Sequence, residues 1–177
     1  MLMSRESERA SDGTRILPRP IGGMRIRDAE EADIPWLLRE LKAFSDFNDT
    51  RAKLFDPVDS KTSAAFLRNL IENHVLLVAV THHGESAGFI GGLVTTHLFN
   101  PKINVLFELF WWVSHGYRAS RAGALLLHAF MERAREMKET RNIHWVTMAL
   151  ETKSPVNADA LLKRGFRHLE TNYIMEI

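Results

Sequence analysis

Two arginines lie where the sequence predicts the first turn of a helix. In VSHGYRASRAGALLLHAF (113–130), Arg118 and Arg121 follow an apolar strand and open an amphipathic pattern. Because the helix dipole is positive at this end, cations there are unfavourable unless an anion offsets them. The unpaired N–H groups of a helix N-terminus can hold an anion, and small side chains let it approach. The small residues here are Ala119, Ser120, Ala122, Gly123 and Ala124. The junction indicates a phosphate site; the alternative is a solvent-facing turn whose arginines meet carboxylates elsewhere.

A carboxylate in the preceding strand could act as a general base. Alternation along the strand predicts that Glu108 shares one face with Leu106, Phe110 and Trp112. A carboxylate among aromatic rings is desolvated, so we expect the pKa of Glu108 to rise from about 4.3 towards neutrality. That is the direction which proton abstraction near neutral pH requires. The alternative is a structural glutamate that is paired with an arginine across the sheet.

The composition argues against several other classes of function. The chain of 177 residues fits one domain, and its net charge of +1 disfavours nucleic acid and membrane surfaces as partners. It contains no cysteine, which removes thiolate chemistry and is compatible with the cytoplasmic location that we expect. The eight histidines lack metal-ligand spacing, so no metal is expected. No apolar run reaches about 18 residues, so no membrane span is expected.

The elements that must position these residues form an α/β pattern. Residues 1–23 are polar and broken by prolines and glycines, and we interpret them as a flexible tail before a domain over 24–177. From Met24 the periodicities predict the order βααβββαβαβ, a mixed, mostly antiparallel sheet with helices and one strand–helix–strand crossover. The pair Gly91-Gly92 inside a strand indicates a bulge or a close approach of another backbone. The main predicted segments are strands over 75–80, 87–99, 105–113 and 143–150, a helix over 122–138, and a strand or hairpin over 166–177.

The sequence VSHGYRASRAGALLL resembles the acyl-coenzyme A loop of the GCN5-related N-acetyltransferases, the GNAT family. In that family a strand ending in Val precedes Arg/Gln-x-x-Gly-x-Gly/Ala at the start of a helix. Arg118 falls at the first position of this pattern and Gly123 at the last, whereas Arg121 replaces the first glycine. The variant YR-x-S-R-x-G is similar to phage-related and proteobacterial members. The segments RDAEEADIPWL (27–37) and LLKRGFRHLETNYIME (161–176) are also similar to the family.

The resemblance implies a sheet that is splayed where acetyl-coenzyme A binds, between the strand ending at Val113 and the strand from Ile143. The backbone near Trp112 and Val113 would pair with the pantetheine arm, and one of these two amides would stabilise the oxyanion. Asn157 would meet the same arm; alternatively, Asn157 only caps the helix that it precedes. The amides that would hold the pyrophosphate are those of Arg118, Ala119, Ser120, Arg121, Ala122, Gly123 and Ala124.

The implied reaction is direct transfer of an acetyl group to a primary amine, with Glu108 as the base that family members often carry on this strand. Members often place a tyrosine, as the acid, at the position of Leu161. Tyr173 is the candidate acid in its place, and Tyr117 is a second candidate; both are commonly packing residues. A thiol with a pKa near 8.5 also leaves as thiolate without much help. The missing tyrosine leaves one alternative function, a coenzyme A-binding module with little catalysis.

The acceptor is expected to be a small-molecule or peptide amine. It would be selected by the loop 44–60, the hairpin near 96–102 and the C-terminal strand. The aspartates of this loop favour a cationic amine; they are Asp46, Asp49 and Asp56. Exposed strands of this fold often pair between subunits, which makes a homodimer one expected assembly.

Overall fold

The sheet is built from five strands in the order of the chain. The computed structural model describes residues 23–48, 60–151 and 153–171. The strands are β1 (Met24–Asp28), β2 (Val75–Thr81), β3 (Ser86–His97), β4 (Asn100–Val113) and β5 (Ile143–Thr147). Each neighbours the next in the sheet, and all pairs are antiparallel except β4 and β5, which are parallel. The predicted mixed sheet with one crossover is confirmed.

Helices cover both faces of this sheet. They are α1 (Ile34–Phe47), α2 (Ser60–Asn73), α3 (Ala122–Arg141) and α4 (Ala158–Leu162). One core cluster lies beneath α3 and contains Phe130, Ile90 and Leu106. A second cluster lies beneath α1 and α2 and contains Leu37 and Phe89. Alternate residues of the strands therefore contribute their side chains to two separate cores, one on each face of the sheet. No helix within the described ranges is long and apolar enough to cross a membrane.

A bulge interrupts the pairing of β3 with β4, as the pair of glycines predicted. Gly91 is opposite Phe110, but Gly92 is opposite Glu108, so Leu109 is one extra residue in β4. Both positions require glycine because neighbouring aromatic rings lie too close for a Cβ atom. A Cβ on Gly91 would lie 2.3 Å from a ring carbon of Phe110, and one on Gly92 would lie 2.7 Å from the buried ring of Phe130.

The bulge corrects the prediction that four residues of β4 share one face. Leu106 packs in the cluster beneath α3, whereas Phe110 and Trp112 pack in the cluster beneath α1 and α2. The extra residue, Leu109, shifts the alternation by one position, which exchanges the two faces for the rest of the strand. Glu108 therefore lies at the point where the alternation breaks, and not in a row with Phe110 and Trp112.

The pairing between β4 and β5 stops halfway along β4. Their register runs from Asn104 opposite Ile143 to Phe107 opposite Thr147, and it stops there. β4 continues for six more residues to Val113. Among the described residues, no strand pairs with β4 over 109–113 on the side of β5, which matches the splayed sheet that the family resemblance implies.

Several element ends differ from the prediction. β4 begins at Asn100, so the turn before it is the pair Leu98-Phe99 and not the longer segment 100–104. β5 ends at Thr147, three residues before the predicted end, because its pairing partner stops there. The described residues 166–171 contain no strand. Residues 1–22 and 172–177 lie outside the described residues, and so do the predictions made for them.

Candidate active site

Four backbone N–H groups at the start of α3 have no partner within the ranges that the structure describes. They belong to Ala119, Arg121, Gly123 and Ala124. Arg121 caps α3, so its N–H and those of Gly123 and Ala124 are first amides of the helix, which stay unpaired beside the positive end of its dipole. Ala119 lies in the turn before the cap. All four residues are partly or fully exposed, so the amides can be reached from solvent. The geometry fits a bound anion.

The other three amides of the predicted phosphate loop are used inside the protein. The N–H of Arg118 donates to the carbonyl of His115 at 3.4 Å, and that of Ser120 donates to the carbonyl of Tyr117 at 2.9 Å. The N–H of Ala122 donates to the hydroxyl of Ser120 at 3.2 Å. These bonds fix the turn that leads into α3, and the candidate anion site narrows to the remaining four amides.

The two arginines of this junction have different surroundings. The guanidinium of Arg118 stacks on two rings, 4.4 Å from the centroid of Trp112 and 4.6 Å from that of Phe47. Its Nε also donates to the carbonyl of Val113 at 3.4 Å. Arg121 is exposed and precedes the first residue of α3. Neither arginine forms an ion pair with a carboxylate of the described residues, so the alternative of a charge-paired surface turn gains no support there.

The open edge of β4 presents backbone groups of alternate residues. The N–H of Ser114 donates to the carbonyl of Ala87 at 3.0 Å, so these two residues form a hydrogen-bonded antiparallel pair. Because hydrogen-bonded and non-hydrogen-bonded pairs alternate, Val113 and Trp111 direct their N–H and C=O groups away from β3. Trp112 directs its own groups towards β3. The free amide at the open edge is therefore that of Val113, and not that of Trp112.

The carboxylate of Glu108 reaches across the gap between the strands. Glu108 is buried, with 6% of its surface exposed. Its Oε2 accepts a hydrogen bond from the backbone N–H of Ala149, two residues after the end of β5, at 3.2 Å. Since pairing of the strands stops at Phe107 and Thr147, the carboxylate lies just beyond the last pair. This placement at the mouth of the gap is what a base acting on a molecule between the strands requires.

The residues of α4 have structural roles. Asn157 precedes α4, and its Oδ1 accepts a hydrogen bond from the N–H of Ala160 at 3.0 Å, which is the capping role of a helix-start asparagine. Leu161, at the position where the family often has a tyrosine, is buried with 7% exposure. The helix therefore offers no acid at that position.

Of the two tyrosines, the structure describes only Tyr117, and it is bonded away from Glu108. The hydroxyl of Tyr117 donates to Oε2 of Glu85 at 2.7 Å, in the turn between β2 and β3. This hydrogen bond, followed by desolvation and the carboxylate charge, raises the pKa of Tyr117 above its usual value. A phenol with a raised pKa that is committed to a carboxylate is a weak acid catalyst. Tyr173 lies outside the described residues.

Sequence reasoning missed a carboxylate that organises the end of β4. Oε2 of Glu40, on α1, accepts hydrogen bonds from the indole Nε1 of Trp112 and from the hydroxyl of Ser114, both at 2.8 Å. Glu40 thereby fixes the ring on which Arg118 stacks. The partners are more than 70 residues apart in the chain, so no local pattern could have identified them.

The expected acceptor loop is only partly described. Its first residues, 44–47, belong to α1 and not to a loop. Asp46 there is exposed and forms an ion pair with Lys42 at 2.8 Å, one helical turn earlier, which reduces the charge it can offer to a ligand. Asp49 and Asp56 lie outside the described residues. The described part of the chain has no cluster of three or more residues able to hold a metal ion.

Comparison with known proteins gives this geometry a context. The chain is similar in structure to an acetyltransferase of Trypanosoma brucei, with 19% identity, a TM-score of 0.62 and coverage of 87% of this chain and 99% of the other. It is also similar to an aminoglycoside acetyltransferase from an uncultured soil metagenomic sample (17% identity, TM-score 0.59, coverage 87% and 98%). A third similar structure is the glucosamine-6-phosphate N-acetyltransferase of Arabidopsis thaliana (14%, 0.59, 86% and 97%). At these identities the likeness shows a shared fold.

The family itself is shown by sequence. No curated protein matches the chain. The model of the acetyltransferase (GNAT) family, however, matches residues 39–166, well over half of the sequence. This match covers β2 to β5, the splayed edge of β4 and the start of α3, and it confirms the family that the sequence motifs predicted. The chain belongs to the acetyltransferase (GNAT) family.

Proposed function

We propose that this protein is an N-acetyltransferase that moves an acetyl group from acetyl-coenzyme A to a primary amine. One juxtaposition carries the proposal: the four open amides, which lie at and just before the start of α3, follow the end of β4 in the chain after one short turn. An extended ligand with an anionic group at one end fits such a surface, because it can pair with a strand edge and end at a helix N-terminus. The family supports an acyltransferase activity; the acetyl donor and the amine are part of the proposal.

The chain offers a separate group for each part of acetyl-coenzyme A. The amides of Ala119, Arg121, Gly123 and Ala124 would hold the pyrophosphate, with Arg121 adding a charged donor. The edge groups of Trp111 would pair with the pantetheine arm, because the carbonyl of Val113 accepts a bond from Nε of Arg118 and its N–H is kept for the oxyanion. The amide of Asn157 keeps its Nδ2 available for the same arm, since only Oδ1 is used in capping. Acetyl-coenzyme A, when bound, would supply an acetyl thioester at the gap between β4 and β5.

Glu108 would take the proton from the attacking amine, directly or through a water. An ammonium ion has no lone pair, so the amine must be deprotonated before it can attack the carbonyl carbon. The position of the carboxylate at the mouth of the gap supports this assignment. The N–H of Val113, which points to the same side of β4, is the group we propose to stabilise the developing oxyanion.

The described residues discussed above supply no clear acid for the thiolate. Leu161 is buried and apolar, and Tyr117 is bonded to Glu85. Tyr173 remains the candidate. A thiol with a pKa near 8.5 can also leave as a thiolate and collect its proton from water. The absence of a tyrosine at Leu161 favours the second candidate function to a small extent, which is a coenzyme A-binding module of the same fold with little catalysis.

Other predictions from the sequence stay predictions. These are the similarity to phage-related and proteobacterial members, the cytoplasmic location, the homodimer, and the lack of nucleic acid, membrane and metal partners. The amine acceptor is a small molecule or a peptide in the proposal.

The proposal is tested by measuring thiol release from acetyl-coenzyme A with a panel of primary amines. Wild type should release coenzyme A only when an acceptor is present, and Glu108→Gln should bind acetyl-coenzyme A but release little thiol. Tight binding with no thiol release from any amine would favour the binding module. Failure of wild type to bind acetyl-coenzyme A would contradict both functions.

A further inference from the structure

Two large aromatic side chains lie half exposed on one face of the sheet, beside the gap. Phe107 on β4 is 48% exposed and Trp145 on β5 is 49% exposed. Trp145 is opposite Val105 of β4, so these two side chains point to the same face. Phe107 is two residues after Val105 on β4 and therefore points to that face as well. Leu106, which lies between Val105 and Phe107 in β4, packs beneath α3 on the other face. Phe107 and Trp145 therefore lie on the face of α1 and α2, at an end which those helices leave uncovered.

The turn between β3 and β4 extends this aromatic surface. The ring of His97 contacts Trp145 edge-on, with centroids 5.1 Å apart, and it contacts Phe99 at 6.2 Å. Leu98 and Phe99 form the tip of the turn and are 84% and 87% exposed. Contiguous exposed apolar side chains of this size mark binding surfaces in soluble proteins. We call the surface formed by Phe107 and Trp145 the aromatic floor.

The aromatic floor is continuous with the proposed catalytic gap. The pairing of β4 with β5 stops at Phe107 and Thr147, so the gap begins where the floor ends. Glu108 is the next residue, and its carboxylate crosses the gap to the N–H of Ala149. Glu108 pairs with Gly92, whose Cβ position faces Phe130 of α3, so its side chain leaves the sheet on the face opposite the floor. An amine held on the floor would therefore reach this carboxylate by entering the gap between the strands.

The charges around the floor complement an amine on an apolar body. The residues paired with the floor are uncharged: Leu93 and Thr147 are opposite Phe107, and Val105 is opposite Trp145. A charged acceptor body would lose its hydration here without a partner. The carboxylate of Glu108, at the gap, suits the ammonium end of the ligand.

We propose that the acceptor is a primary amine carried on an aromatic or similarly flat apolar group, which packs on Phe107 and Trp145 while the amine enters the gap at Glu108. This inference rests on the proposed acetyl transfer and names its class of acceptor. Aromatic rings prefer edge-to-face or offset packing on other rings, which two half-exposed rings on adjacent strands can provide. The occupant that we propose is a small ligand, and a second copy of the chain is the alternative that the oligomeric state tests.

The test compares two probes that share an amine on a two-carbon chain, 2-phenylethylamine and ethanolamine. Wild type should acetylate 2-phenylethylamine with a kcat/KM at least about tenfold higher. Trp145→Ser and Phe107→Ser should each remove most of this preference and leave the affinity for acetyl-coenzyme A, measured by calorimetry, unchanged. Phe66→Ser, which removes another partly exposed phenylalanine (38%) from α2, is the matched control and should keep the preference.

Binding of the amine is measured separately, because it does not depend on acetyl transfer. Saturation-transfer NMR should show contact of the protein with the phenyl protons of 2-phenylethylamine in wild type and in Phe66→Ser, and lose it in both floor variants. This result would support the floor even if acetyl-coenzyme A failed to bind, which would contradict the proposed transfer alone. Equal kcat/KM for both amines, or a preference that survives both floor variants, would overturn the proposal.

A second copy of the chain is the other molecule that could cover this exposed apolar surface. Sedimentation of wild type and the two floor variants tests it. A wild-type dimer that both variants convert to a monomer, with amine preference unchanged, would assign the surface to a second copy and overturn the proposal. A uniform oligomeric state across all variants supports it.

Discussion

The carboxylate of Glu108 is bonded to the backbone N–H of Ala149, 3.2 Å away, across the point where β4 and β5 separate. The bond joins two strands that no longer pair with each other at this level. It places the one acidic side chain of the inner part of β4 in the gap where a thioester would lie. The same contact could serve as a structural tie between the strands, and mutation distinguishes the two roles.

Replacing Glu108 with glutamine should remove catalysis and spare binding. A glutamine oxygen can still accept the hydrogen bond from Ala149, but the amide cannot take a proton. Loss of a general base typically lowers the rate by about 10²–10⁴-fold. We expect that fall in kcat for thiol release, with the affinity for acetyl-coenzyme A within about threefold of wild type. A kcat close to wild type would show that Glu108 only ties the strands together.

Replacing the two arginines separately should divide binding from stability. Arg121 is exposed beside the open amides, so Arg121→Ala should weaken acetyl-coenzyme A by about threefold to tenfold, with a smaller loss at high salt. Arg118 stacks on Trp112 and Phe47, so Arg118→Ala should lower the free energy of unfolding by about 1 kcal/mol. Calorimetry and urea denaturation of both variants measure the two effects. The reverse pattern would place Arg118, not Arg121, at the phosphate.

Replacing Gly92 with alanine should destabilise the bulge. The new Cβ would lie 2.7 Å from the ring of Phe130 and 3.0 Å from the carbonyl oxygen of Phe107. Phe130 is fully buried and cannot move away freely. Overpacking of this kind costs about 1–3 kcal/mol. Gly116→Ala is the control, since its Cβ meets nothing within 4 Å. Equal urea midpoints for the two variants would contradict the described packing at the bulge.

Stability should fall in mild acid because of His74. Burial, and then the charge of Arg141, lower the pKa of His74 below its usual value. Its Nδ1 accepts a hydrogen bond from the N–H of Val94 at 3.2 Å, which requires the neutral ring. The unfolded chain therefore binds a proton more readily. The stabilisation is complete above about pH 6.5 and is lost as the pH falls through the lower pKa of the folded state.

The variant His74→Asn tests this assignment, because an asparagine oxygen can accept the same hydrogen bond and does not titrate. The free energy of unfolding between pH 7.5 and pH 5 should depend less on pH in the variant than in wild type. Identical pH dependence in the two proteins would show that His74 does not contribute.

The sequence was sufficient for the order of the elements and for the region of the site. Hydrophobic periodicity separates the helices from the strands, and the pair Gly91-Gly92 marks the bulge because only glycine fits beside Phe110 and Phe130. The consequence of the bulge was not predictable. The segment FELFWW is apolar at nearly every position, so its pattern does not show which strand carries the extra residue.

Local sequence patterns also could not predict which residues surround the charged side chains. Arg118 points to Phe47 and Trp112, and Phe47 comes from α1, more than 70 residues away in the chain. From its helix alone, Glu40 would be expected to face solvent, yet its carboxylate accepts hydrogen bonds from Trp112 and Ser114. Contacts of this kind depend on how α1 is packed over the end of β4, which no pattern within one element specifies.

The most direct test of the account is calorimetry of acetyl-coenzyme A with wild type, Gly123→Ala and Gly123→Glu. A Cβ at Gly123 would lie 3.5 Å from Val113, an ordinary contact, so Gly123→Ala should fold and bind almost as wild type does. Gly123→Glu places a carboxylate beside the open amides and should weaken binding by about 100-fold, or roughly 2.7 kcal/mol, with folding intact by circular dichroism. No binding by wild type, or equal binding by all three proteins, would contradict a coenzyme A site at the start of α3.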